Sequence, residues 1–75
     1  MTNTTMEIRI WEGSGLVGKT VEQIDKEFGI EIIKVARGEE ASNPGKNLKI
    51  EPADYISYVG NSDACLKLFK KSAKS

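Results

Sequence analysis

Apolar and polar side chains alternate through residues 6–12, "MEIRIWE", with Met6, Ile8 and Ile10 on one face and Glu7, Arg9 and Trp11 on the other. That period of two predicts a half-buried strand. The period then lengthens: Val21, Ile24 and Phe28 recur at helical spacing, Thr20 with Gln23 reads as a capping box, and Gly29 stands where a left-handed residue ends a helix. A short helix over residues 21–28 follows. Residues 30–36, "IEIIKVA", carry β-branched side chains on both faces, which predicts a central strand buried on one side and in contact on the other.

"RGEEASNPGKN" breaks regular structure through Gly38, Asn43, Pro44 and Gly45. "LKI" at 48–50 reads as a short strand, and "EPAD" turns the chain into a strand at 55–60, where Ile56 and Tyr58 alternate with Tyr55, Ser57 and Val59. Two β segments joined so briefly are expected to pair antiparallel. Asn61, Ser62 and Asp63 offer cap oxygens to a last helix with an apolar stripe of Cys65, Leu66 and Phe69, extended by Leu68. The order β-α-β-β-β-α predicts an α+β fold on a small, mostly antiparallel sheet. One domain over residues 6–71 is expected, with a disordered tail at 1–5 and a flexible one at 72–75.

Seventy-five residues with one cysteine and no histidine provide neither a disulfide nor a zinc framework within one chain. At this size a core is marginal, and self-association is the expected supplement. Eleven basic residues balance eleven acidic ones, so no overall field draws the domain to nucleic acid or to an anionic membrane. The longest apolar runs fall far short of the ~20 residues of a membrane span. The lone thiol suits a reducing cytosol, and Cys65 reads as a small buried apolar residue. Lys67, Lys70, Lys71 and Lys74 complement the dipole of the last helix.

One motif invites a chemical reading. Residues 13–20, "GSGLVGKT", satisfy the phosphate-loop pattern G-x-x-x-x-G-K-[ST], and Gly13, Gly15 and Gly18 overlap it as G-x-G-x-x-G. A phosphate loop belongs to a larger parallel α/β domain, and no apolar strand here ends in an acid placed to hold Mg²⁺. The turn is therefore read as structural, with Leu16 plugging the core and Gly18 bringing the helix start close to the sheet. No histidine, carboxylate dyad or complete metal set defines a catalytic centre, and the chain is read as non-enzymatic. Arg37 reads either as a bidentate donor to an anionic ligand or as a strand-end residue paired with Glu39 or Asp54.

In order and spacing, Ser14, Leu16, Gly18, Lys19, Thr20, Gly29, Arg37, Pro44, Leu48, Asp54 and Gly60 resemble the C-terminal regulatory (RCK_C, or TrkA-C) domain of regulators of potassium conductance. The resemblance covers residues 6–70. It implies a cytoplasmic homodimer, joined through the sheet and first helix, that regulates potassium or other cation transport. The partner it implies is a membrane-embedded channel or transporter, or a nucleotide-binding RCK domain; no nucleic-acid contact or direct membrane insertion is expected. It implies a ligand at the dimer interface, cyclic di-AMP in some relatives and a divalent cation in others. By position the ligand candidates are Ile30, Glu31, Ile32, Asn43 and Pro44, with Arg37 beside them. Glu31 places a carboxylate where cyclic-dinucleotide binders often carry an amide, and a carboxylate repels a phosphodiester. Asp25, Glu27 and Glu31 are the candidate oxygen ligands for Ca²⁺ or Mg²⁺. The alternatives are a ligand-free dimerisation module and a phosphate-loop nucleotide binder.

Overall fold

The chain threads its last strand between its first two. In chain order the elements are β1 (Thr4–Arg9), α1 (Val21–Phe28), β2 (Glu31–Arg37), β3 (Glu40–Ser42), β4 (Tyr55–Gly60) and α2 (Ser62–Ala73). They build one antiparallel sheet ordered β1-β4-β2-β3. The structure, a computed structural model, describes residues 3–73. Within those bounds the elements reach past the expected 6–71: Thr4 pairs with Gly60, and Ser72 is a buried helical residue whose carbonyl accepts the Trp11 N–H at 3.2 Å. The remainder of the two expected tails, residues 1–2 and 74–75, lies outside the described residues.

The third strand differs from expectation. It forms at Glu40–Ser42, inside the stretch read as irregular, because Gly38 adopts φ 65° and closes a tight hairpin that sets Arg37 opposite Glu40. Residues 48–50 make only an isolated bridge, Lys49 to Thr20, and do not pair with β4. Their backbone is claimed by the glycine turn and α1. Gly18 N–H donates to the Ile50 carbonyl, Ile50 N–H to that of Lys19 and Val21 N–H to that of Leu48, each at 2.9 Å. β4 is thereby left free to take β1 on one side and β2 on the other.

Helix α1 starts and stops as its sequence dictates. The Thr20 hydroxyl accepts the Gln23 N–H, the Gln23 side chain accepts the Thr20 N–H at 2.8 Å, and Gly29 caps the C-terminus at φ 69°. Both helices cover one face of the sheet and touch each other. Ile24, Leu68 and Cys65 meet Ile8, Ile56 and Tyr58 there in a core from which water is excluded, each large side chain contributing ~1.5–3 kcal/mol. α2 turns Ala64, Cys65, Leu68 and Ser72 inward, and Leu66 and Phe69, expected in its apolar stripe, are half exposed. Tyr58 lies under this face, its hydroxyl donating to the Cys65 carbonyl at 2.8 Å, beside the buried Cys65 and Leu68.

Candidate functional site

Five N–H groups of the glycine turn are engaged within the chain rather than left for a phosphate: Ser14 N–H donates to the Trp11 carbonyl, Val17 N–H to Ser14, Gly18 N–H to Ile50, Lys19 N–H to Leu16, and Leu16 N–H to the Ser14 hydroxyl. Lys19 Nζ sits 2.6 Å from Glu27 Oε1, and Thr20 is committed to the helix cap. Ser14 in turn donates to the Lys71 carbonyl at 2.9 Å, so this turn fastens the end of α2 to the start of α1.

Where α1 meets β2 the geometry is more open. β3 covers β2 only at Val35, Ala36 and Arg37, which leaves the Glu31–Lys34 half of β2 with no strand on that side. Asp25 closes part of this edge, its Oδ1 accepting the Ile32 N–H at 3.0 Å. Burial pushes the Asp25 carboxyl above its ordinary 3.8; the Ile32 N–H opposes this and nearby Glu31 adds to it. Beyond β3, Asn43 is exposed and Pro44 half-buried, and the following residues cross to α1, where Glu22 N–H meets the Lys46 carbonyl. The uncovered edge of β2 thus runs between the end of α1 and the proline loop.

The ligand candidates divide on this frame. Glu31 and Asn43 are exposed, whereas Ile30 and Ile32 belong to the core. Ile30 is held there by Gly60, where an added Cβ would lie 2.6 Å from Ile30 Cγ2. Position-by-position reading misses Ile33. A register shift between Ile32 and Lys34 makes it an unpaired extra residue of β2, 40% exposed. A bulge leaves no mark in a run of β-branched residues, so composition alone does not reveal it.

Arg37 is engaged within its own chain. Nε and Nη2 each donate to Asp54 at 2.9 Å, Nη2 also reaches the Lys49 carbonyl at 3.0 Å, and Nη1 lies 3.4 Å from Glu51. The Asp54 hydrogen bond holds Arg37 protonated more firmly than usual, against the cost of burial. Of the candidate cation ligands, Glu27 is tied to Lys19 and Asp25 to the Ile32 N–H. Among the described residues no three acidic, cysteine or histidine side chains gather to hold a metal.

An open groove of about 690 Å³ lies between Glu27 and Phe28 of α1 and Asn61, Ser62, Asp63, Ala64 and Lys67 at the start of α2. A smaller one, about 170 Å³, is lined by Val35, Arg37, Glu40 and Leu48. Arg37 lines the smaller and Glu27 the larger; the other candidate residues line neither. No helix among the described residues is long and apolar enough to cross a membrane.

A two-layer α+β domain is the class this topology defines, and comparison with known proteins gives its family. The family model of the TrkA-C domain matches residues 5–73, and the chain belongs to that family. No curated protein matches it. Among solved structures it is similar to the RCK_C domain dimer of S. agalactiae BusR in complex with c-di-AMP, with 24% identity, 92% of this chain and 89% of that chain covered, and a TM-score of 0.79. The RCK C domain of the potassium transport protein KtrA, also in complex with c-di-AMP, is similar at 24% identity, 91% and 81% coverage and a TM-score of 0.77. S. agalactiae BusR in complex with its busA-promotor DNA matches at 23% identity and a TM-score of 0.80, but the 95% of this chain that aligns spans 37% of that one.

Proposed function

We propose that this chain is a non-catalytic, ligand-responsive homodimerising domain that acts in the cytoplasm to regulate cation transport, potassium foremost, through a channel or transporter partner. The observation that carries the reading is the family match across residues 5–73, which takes in every element of the fold. Both RCK_C neighbours named above hold c-di-AMP, which favours a cyclic dinucleotide as the ligand class. The uncovered edge of β2 beside Asn43 and Pro44 is its candidate site, with Glu31 and Ile33 as the side chains facing outward. Glu31 sets the selectivity question, because its carboxylate repels a phosphodiester and favours a cation. Ligand binding regulates by population shift: a molecule bridging two protomers favours one dimer geometry by its difference in affinity for the two.

The likeness to promoter-bound BusR does not make this domain a DNA reader. Its formal charge is zero, and a DNA surface needs a basic footprint. A thermal-shift series with cyclic di-AMP, Ca²⁺ and Mg²⁺ tests the reading, since a ligand at 100 times its Kd adds ~2.7 kcal/mol. A rise with one of them supports it. Indifference to all three supports a ligand-free dimerisation module.

A further inference from the structure

β1 forms one edge of the sheet, and nothing in its own sequence blunts it. Its six residues pair with β4 in an unbroken register, with no proline and no bulge. The opposite edge ends in β3, only three residues long and soon followed by Pro44, one of the ways in which sheets protect an edge. The direction of the β1 backbone groups follows from the residue after its end. Ile10 N–H donates to the Asp54 carbonyl, and the Ile10 carbonyl accepts the Ala53 N–H. Ile10 therefore faces β4, and by the period of two so do Ile8, Met6 and Thr4. Thr5, Glu7, Arg9 and Trp11 direct their N–H and C=O groups off the edge. The Trp11 N–H is taken by the Ser72 carbonyl of α2, whereas those of Thr5, Glu7 and Arg9 have no backbone partner among the described residues. Each of the three presents one donor and one acceptor at every second position.

Apolar side chains of α2 overhang this edge. Ser62 Oγ lies 3.2 Å from Thr4 Oγ1, Cys65 Sγ donates to the Thr4 carbonyl at 3.6 Å, and Ser72 meets Trp11. The stripe of α2 through these residues thus runs along β1. Phe69 follows Cys65 by one turn and precedes Ser72 by another, and Leu66 stands in the same relation to Ser62 and Phe69, which puts both on the β1 flank. They are 49% and 50% exposed. The other flank turns to α1, where Ala64 and Lys67 line the groove and Lys71 crosses Gly15. Lys70, one turn beyond Leu66, is exposed and has no carboxylate within ion-pair distance among the described residues.

We propose that the β1 edge docks an extended segment of a partner protein, which joins the sheet as a further strand beside Thr5, Glu7 and Arg9. Its apolar side chains, at alternate positions, pack on Leu66 and Phe69, and a carboxylate among them reaches Lys70. The free backbone groups select a strand, and the side chains of α2 select its sequence. A helix has spent its backbone groups internally, and a lipid surface offers no ladder of N–H donors, so neither satisfies this edge. The inference goes beyond the proposed function and does not rest on it. β4 separates β1 from β2, so a strand added at β1 leaves the β2 edges of two protomers free to share one ligand.

The test is selection of random peptides displayed on phage against the full chain, followed by amide hydrogen exchange read by NMR with a synthetic copy of the selected peptide. Selected sequences are expected to alternate apolar residues and to carry an Asp or Glu. The peptide is expected to slow exchange at Thr5, Glu7 and Arg9 by about tenfold or more, and to leave the Ile33 amide unchanged. Phe69→Ser and Lys70→Glu, both at exposed positions, are each expected to weaken binding about tenfold. Glu7→Pro removes a donor that points away from β4 and is expected to abolish binding; the two α2 variants decide the matter whether or not it folds. Selection of no peptide above background, sequences without alternation, protection elsewhere on the domain, or undiminished affinity in Phe69→Ser each overturn the proposal. So does protection of the three amides before any peptide is added, which assigns the edge to a second copy of the chain.

Discussion

Arg37 at the end of β2 grips Asp54 with two parallel hydrogen bonds of 2.9 Å, and the carboxylate it holds is 1% exposed. Asp54 also accepts the Glu51 N–H at 2.9 Å. The pair fastens the turn before β4, which contains Ala53 at φ 73°, to the end of the neighbouring strand β2. The sequence allows Arg37 a ligand role or a strand-end pairing, and the structure commits its donors to the pairing.

Arg37→Ala strands a buried carboxylate with one donor left. It is expected to lower stability by ~2–3 kcal/mol, with Arg37→Lys losing part of that because an ammonium cannot reproduce the fork. Urea denaturation measures it. A loss below ~0.5 kcal/mol, in the range of ordinary surface substitutions, contradicts the assignment.

Asp25 gives the domain a pH response of defined sign. Its folded pKa is raised above 3.8, so in the window above 3.8 the folded state binds the proton more tightly than the unfolded chain. Its contribution to stability is fully present below 3.8 and is lost as pH rises through the folded pKa. Asp25→Asn keeps an acceptor for the Ile32 N–H and is expected to flatten this part of the stability-against-pH curve. An unchanged curve in denaturation across acidic pH argues against it.

Tyr58 supplies a second titration at the alkaline end. Burial, reinforced by Cys65, pushes its hydroxyl up to about 12 from 10.0, so stability falls as pH rises through that interval, where only the unfolded chain ionises readily. Tyr58→Phe is expected to remove that slope and to cost about 1 kcal/mol at neutral pH through the lost bond to the Cys65 carbonyl. Alkaline unfolding followed by circular dichroism reads both effects.

Lys19→Ala separates a structural turn from a phosphate site. Loss of the partly exposed bridge to Glu27 is expected to cost at most ~1 kcal/mol. Mg²⁺-ATP is expected to leave the melting temperature of wild type and variant alike unchanged. A nucleotide-dependent rise that Lys19→Ala abolishes restores the phosphate-loop reading.

How far the fold was legible depended on how local its determinants are. The cap residues Thr20, Gln23 and Gly29 carry their instruction in sequence and marked α1 at Val21–Phe28; the alternation of Ile56 and Tyr58 marked β4. β3 was hidden because Gly38 acts through a backbone angle that makes a hairpin of a polar stretch. Residues 48–50 read as a strand because their β propensity is real; their partner, the glycine turn, lies some thirty residues upstream in the chain. Leu66 and Phe69 matched a helical stripe, yet α2 turns Ala64, Cys65, Leu68 and Ser72 to the sheet and leaves those two half exposed. At the candidate site Glu31 and Asn43 could be named from their order in the chain and are exposed, while Ile33 depends on a bulge that only the register of β2 against β4 reveals.

Sedimentation equilibrium of the wild-type chain with and without cyclic di-AMP tests the central claim most directly. A ligand that bridges two protomers must tighten the dimer by the factor by which dimerisation tightens the ligand. A dimer is expected whose dissociation constant falls at least tenfold when the ligand is added, with one ligand bound per pair. A dissociation constant unmoved by saturating ligand, or one ligand bound to each independent monomer, contradicts it.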